Sequence, residues 1–137
     1  MLYGENYTKF LAASPANLLG AEYEGKVRAT HDTYTFATAA ANTEVVVGIL
    51  KKGEVFLAGL VIGADLGSAT TLQLGDAGDD DRYMAATVFT TAGQASWATR
   101  SNGVGYKATE DTPIILKTGV EEATGAVEVV ILKACPN

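Results

Sequence analysis

One histidine and one cysteine are all that this 137-residue chain offers toward metal or nucleophile chemistry. A zinc site needs four His, Cys or carboxylate ligands and a cupin-type centre needs several histidines, so neither is expected. The lone Cys135 has no intramolecular partner, which excludes a disulfide scaffold and agrees with a reducing site of synthesis. Basic residues are few. Ten Lys and Arg stand against sixteen Asp and Glu, for a net charge of -6 and a pI near 4.6. Phosphate binding rests on Lys and Arg, so nucleic acid is not an expected partner. Long apolar runs are missing too. The longest, Val55 to Ala64, is about half of what a membrane helix needs. No basic segment followed by an apolar core opens the sequence, so a soluble chain without standard export is expected.

What is present is a globular composition, 47% hydrophobic and 19% charged, at a length that suits one domain. From Lys26 onward the chain reads as strands: 26–37, 44–50, 55–65, 69–75, 94–99, 112–119 and 125–134. Residues 82–90, RYMAATVFT, suit either a strand or a short helix. Turn signals separate these segments at Lys52-Gly53, Leu66-Gly67-Ser68, Ala92-Gly93, Ser101-Asn102-Gly103 and Thr124-Gly125. Short strands about ten residues apart, with no long amphipathic helix, indicate an all-β sandwich. Eight strands favour a jelly roll over an immunoglobulin-like fold. Val55–Ile62 is apolar at successive positions, as in a central strand buried on both faces, which places Leu60 in the core.

Residues 1–25 differ from the rest. Tyr3, Tyr7, Phe10, Leu18, Leu19 and Tyr23 are apolar without a period, and Ser14-Pro15 interrupts any helix. They read as an extended arm with one helical turn near Pro15 to Leu19, or else as a first strand and loop of the domain itself.

The densest polar feature is GDAGDDDRYM at 75–84. Asp76, Asp79, Asp80 and Asp81 are the only candidates for a cation, which would be calcium. The EF-hand pattern fails, because Asp81 stands at its sixth position and Thr87 at its twelfth. A solvated acidic turn with one aspartate on Arg82 is the simpler reading. His31-Asp32 would point to opposite faces of a strand, and no G-x-S-x-G elbow accompanies it. Gly103-Val104-Gly105 follows no strand and opens no helix, unlike a dinucleotide loop. Asn6-Tyr7-Thr8 fits a glycosylation sequon that matters only in a secreted chain. Glu121-Glu122 falls in a turn, with no sign of the cleft a glycosidase needs. Trp97, the only tryptophan, reads as core.

The succession KVRATHDTYTF, KKGEVFLAGLVIGADLGSATTLQLGD, DDDRYMAAT, a Gly-rich turn with Tyr106, and TPIILKTGVEEATGAVEVVILKA resembles the head decoration, or cement, proteins of tailed bacteriophages. That resemblance implies a non-enzymatic β-sandwich on the exterior of a capsid, made in the host cytoplasm. It implies a homo-oligomer, trimer favoured over dimer, clamping major capsid protein subunits, with an N-terminal arm reaching between them. Residues 1–25 would then be the arm and 26–137 the sandwich domain. Within the arm Tyr3, Tyr7, Phe10, Leu18 and Leu19 are the expected capsid contacts. No cofactor, nucleic acid or membrane is expected. The alternative is a carbohydrate-binding sandwich using Trp97, Tyr106 and the Asp76–Asp81 segment.

Overall fold

The computed structural model describes residues 26–136. The expected arm, with Tyr3, Tyr7, Phe10, Leu18 and Leu19, lies outside the described residues. Eight strands follow one another: β1 (Lys26–Ala39), β2 (Glu44–Leu50), β3 (Val55–Gly63), β4 (Thr71–Asp76), β5 (Asp79–Val88), β6 (Gln94–Ala98), β7 (Thr112–Gly119) and β8 (Ala123–Cys135). Residues 82–88, ambiguous by local propensity, are strand. Pairing with β4 decides this, since tertiary hydrogen bonding overrides the helical leaning of Met84-Ala85-Ala86.

The strands form two antiparallel four-stranded sheets, ordered β1-β8-β3-β6 and β2-β7-β4-β5. Only β4 and β5 are a hairpin within one sheet; every other connection crosses to the opposite sheet. That is the winding of a jelly roll, the architecture expected from eight short strands. The β1–β2 turn is made by Ala40 to Thr43, with Asn42 at φ 64°, a conformation that Asn tolerates better than most residues.

The core lies between the two inner faces. Phe36, Phe56, Val61, Val127, Val129 and Ile131 meet Leu50, Leu72, Leu74, Tyr83, Ile114 and Leu116, all essentially inaccessible to water. Alternation along each strand supplies these positions, as the pleat requires. Gly63 is small because Phe89 lies over it; a methyl there would come within 2.5 Å of the Phe89 ring.

Two expectations about the core need correction. Trp97 is 64% exposed. Leu60 is only half-buried. β3 is indeed an inner strand, but among the described residues the second sheet covers only one side of its sheet. Phe56 and Val61 face the second sheet, while Leu60 and its cross-strand neighbour Trp97 face outward. An apolar run announces two apolar faces without saying that both are covered.

Candidate functional site

The acidic segment is not a solvated turn. The hairpin reverses in two residues, Ala77 and Gly78, so Asp79, Asp80 and Asp81 belong to β5. Asp76 ends β4 and is buried. Its Oδ1 accepts from the amides of Gly78 and Asp79 at 2.9 and 3.1 Å. Its Oδ2 accepts from Arg82 Nε at 2.7 Å and from the Tyr83 hydroxyl at 2.9 Å. Burial acts to raise the Asp76 pKa, but the bonds from Arg82, Tyr83 and Gly78 outweigh it and hold the carboxyl below its ordinary value. Tyr83 is pushed up, first by burial and then by its bond to Asp76. β5 bulges between Leu74 and Asp76, and its backbone at Asp79 and Asp80 crosses directly over Gly75. No side chain fits there, which accounts for a glycine at that point.

The other three aspartates have separate partners. Asp79 accepts from Asn102 Nδ2 at 3.1 Å, Asp80 pairs with Lys117 Nζ at 2.8 Å, and Asp81 pairs with Arg100. Their carboxylates come within 4.8 Å of one another. A cation there would compete with two ion pairs and an amide bond. The expected pairing with Arg82 is present and falls to Asp76.

Arg82 also lies over the Tyr106 ring at 4.2 Å, and Tyr106 packs edge-on against Tyr83, which stacks on Phe56 at 4.2 Å. Tyr106 is therefore occupied within the fold and presents no free platform for a sugar ring. His31 Nε2 sits 3.4 Å from Glu128 Oε2 at the surface, with no serine in the arrangement. Glu121 and Glu122 flank a shallow depression with Ala40, Ala41 and Val120. A second depression is lined by Lys52, Gly53, Lys107, Ala108 and Thr109. At the first, Glu121 Oε2 accepts from the Ser68 hydroxyl at 3.1 Å. Among the described residues no helix is long and apolar enough to cross a membrane.

A second buried polar group was invisible in the sequence. Glu54 Oε2 accepts from Lys133 Nζ at 2.6 Å and from the Lys51 amide at 2.8 Å, while Cys135 Sγ lies 3.1 Å from Oε1. Lys133 also donates to the Ile49 carbonyl at 3.0 Å. Burial opposes the charge on Glu54, but the bonds from Lys133, Lys51 and Cys135 lower its pKa. Burial, followed by the bond to Glu54, raises the Cys135 thiol. This network ties the end of β8 to β2 and to the turn that leads into β3. No local signal links residues so far apart in sequence.

The outer faces of the two sheets differ in chemistry. On β2-β7-β4-β5, Glu44, Lys117 and Gln73 follow one another across three strands, and Lys117 bonds Asp80 of β5. On β1-β8-β3-β6, the matching row is His31, Val130, Leu60 and Trp97. Adjacent rows hold Ala29, Leu132 and Ala58 on one side and Thr33, Glu128, Ile62 and Ala95 on the other. The apolar residues of this face were legible as apolar, but not as lying away from the core, where Trp97 is exposed and Leu60, Ile62, Val130 and Leu132 are half-buried.

These features define a compact jelly-roll domain whose candidate functional elements are surfaces. Its fold is that of chains found in phage capsids. The chain matches one in the capsid asymmetric unit of cyanophage Pam1 with a TM-score of 0.72 at 24% identity, covering 92% of this chain and 99% of that one. It matches a chain in the capsid of Ralstonia phage GP4 with a TM-score of 0.65 at 20% identity, covering 88% of each. A chain in the acid-stable capsid of Helicobacter pylori bacteriophage KHP30 matches with a TM-score of 0.63 at 11% identity, over 81% of this chain and 89% of that one. No protein-family model matches the sequence, and no curated protein matches it.

Proposed function

We propose that this chain is a virion structural protein of a tailed bacteriophage, a decoration protein that binds the outside of the head and stabilises contacts between major capsid subunits. The observation that carries the reading is coverage: the match takes in 99% of the Pam1 capsid chain and 92% of this one. The likeness therefore takes in nearly all of that capsid chain and not a fragment of a larger subunit. The fold holds one histidine, bound to a surface glutamate, and two polar clusters whose partners all serve packing. That arrangement suits a protein that acts by contact.

In this reading residues 1–25 anchor the domain, with Tyr3, Tyr7, Phe10, Leu18 and Leu19 burying aromatic and aliphatic surface against major capsid protein. Ordering an arm on binding costs entropy that this burial must offset. Repetition over a lattice multiplies a modest contact through avidity. The protein is made in the host cytoplasm and assembles on the particle exterior as a homo-oligomer.

The test is co-sedimentation with phage particles that lack the native copy. The full chain is expected to pellet with particles, and a chain lacking residues 2–20 to remain folded by circular dichroism yet bind far less. Equal binding by the truncated chain would shift the contact to the sandwich. Absence of binding by the full chain would overturn the proposal.

A further inference from the structure

We propose that Asn102-Gly103, in the turn between β6 and β7, is a deamidation site gated by the fold: Asn102 converts to an aspartate or isoaspartate when the turn opens, and the product opposes its closing again.

Asn102 is the only asparagine that a glycine follows; Asn6, Asn17 and Asn42 precede Tyr7, Leu18 and Thr43. Deamidation needs the next backbone nitrogen to reach the side-chain carbonyl carbon, and a side chain on that next residue hinders the approach. Packing dictates both members of the pair. Gly103 is buried against β5, where a methyl would lie 2.5 Å from the Arg82 carbonyl oxygen and 2.8 Å from the Tyr83 ring. Asn102 is exposed, and its Nδ2 donates to Asp79 Oδ2 at 3.1 Å. The fold thus sets the most reactive asparagine context of the chain on its surface.

Conversion begins when the Gly103 amide loses its proton to hydroxide. The nitrogen attacks Asn102 Cγ, a C–N bond forms, and the Cγ–Nδ2 bond breaks to release ammonia, leaving a cyclic imide. Water then opens the imide at either carbonyl, giving an aspartate or an isoaspartate; nothing is oxidised or reduced. In the closed turn the Gly103 N–H donates to the Arg100 carbonyl at 2.9 Å, and the Asn102 side chain is held on Asp79. Both bonds must break before the nitrogen attacks, so the native turn is expected to react roughly tenfold or more slowly than the unfolded chain.

The product then works against the turn. A carboxylate replaces the donor that faced Asp79, whose own carboxylate lies within 4.8 Å of those of Asp80 and Asp81. An isoaspartate also lengthens the backbone of a turn closed by bonds from the Val104 amide to Arg100 and from the Tyr106 amide to Gly103. That turn carries the Tyr106 ring onto Arg82, so the change reaches the β4–β5 hairpin. The site rests on the packing of this domain and stands whether or not a capsid is its partner.

The test follows the full chain, folded and guanidinium-unfolded, at mildly alkaline pH, by peptide mass spectrometry and isoaspartyl methyltransferase labelling. Asn102 is expected to convert in both, roughly tenfold or more slowly in the folded chain. Asp79→Ala, which removes the acceptor for Asn102, is expected to speed the folded chain severalfold. Asn102→Asp, which supplies one product directly, is expected to lower the urea midpoint and raise amide exchange at residues 100–106. Equal rates in the folded and unfolded chains overturn the proposal, as does an Asn102 that never converts in either one on prolonged incubation. So does a folded Asp79→Ala chain with an unchanged rate, or Asn102→Asp with unchanged midpoint and exchange. Should Asp79→Ala fail to fold by circular dichroism, the folded-to-unfolded ratio and Asn102→Asp decide.

Discussion

The Tyr83 hydroxyl donates to Asp76 Oδ2 at 2.9 Å inside the sandwich, and Arg82 Nε reaches the same oxygen at 2.7 Å from the rim. Asp76 thus serves as the hub of the β4–β5 hairpin, although it looks in sequence like one of four equivalent surface aspartates. Asp76→Ala would leave Tyr83 and Arg82 without their acceptor and is expected to cost about 3 kcal/mol. Asp80→Ala removes only a surface pair with Lys117 and should stay within about 0.5 kcal/mol. Urea midpoints at unchanged slope measure both, and equal losses would contradict this placement.

Acid should destabilise the fold through Asp76 and Glu54. Burial pushes both upward, but donors on each carboxylate hold the folded-state pKa below the ordinary value. The unfolded chain then binds protons at higher pH than the native chain does. Stability is fully present above the unfolded carboxylate values, about pH 4 to 5, and is lost as pH falls through the depressed folded ones. Thermal midpoints between neutral and strongly acidic pH should fall along this course, and Asp76→Asn should fall less steeply. A wild-type profile that is flat in acid would refute it.

Calcium or a chelator should leave the melting temperature unchanged. Asp79, Asp80 and Asp81 are already engaged by Asn102, Lys117 and Arg100. A rise of more than about 5 °C with calcium would mean that the ion displaces these partners and stabilises the fold by roughly a kcal/mol.

Leu74 and Leu60 should respond very differently to truncation. Leu74 is fully enclosed between the sheets, so Leu74→Ala is expected to cost about 2–5 kcal/mol. Leu60 faces outward beside Trp97, and in the monomer Leu60→Ala should cost less than half of that. Chemical denaturation at low protein concentration separates the two, and similar losses would place Leu60 in a covered core.

Val120, in the turn after β7, holds φ at 68° with a β-branched side chain that is 72% exposed. The left-handed region costs such a residue about 1–2 kcal/mol. Val120→Gly should therefore stabilise the chain by about 1 kcal/mol, seen as a higher denaturation midpoint. A loss of stability would show that the valine side chain contributes packing that its exposure conceals.

Most strand positions were legible locally. Alternation in ATTLQLG put Thr70, Leu72 and Leu74 on one side, and all three are buried. Turn dipeptides marked the breaks, and the scarcity of His and Cys limited the chemistry. The acidic segment was misjudged for a physical reason: a two-residue reversal at Ala77-Gly78, made possible by the bulge over Gly75, turns an apparent loop into strand. The Glu54–Lys133–Cys135 network left no trace, because its members meet only after β8 has crossed the sheet.

The sequence by itself determined an all-β chain of eight strands with an acidic surface and little catalytic vocabulary, since period-2 alternation and turn residues act through local backbone geometry. Only the tertiary structure decided which apolar face each strand buries. Val61 and Leu60 are neighbours of similar chemistry on β3, yet one is sealed in the core and the other looks out beside Trp97. The difference lies in the second sheet, which packs against one side of β3 and not the other, and that choice is made by contacts between residues distant in the chain.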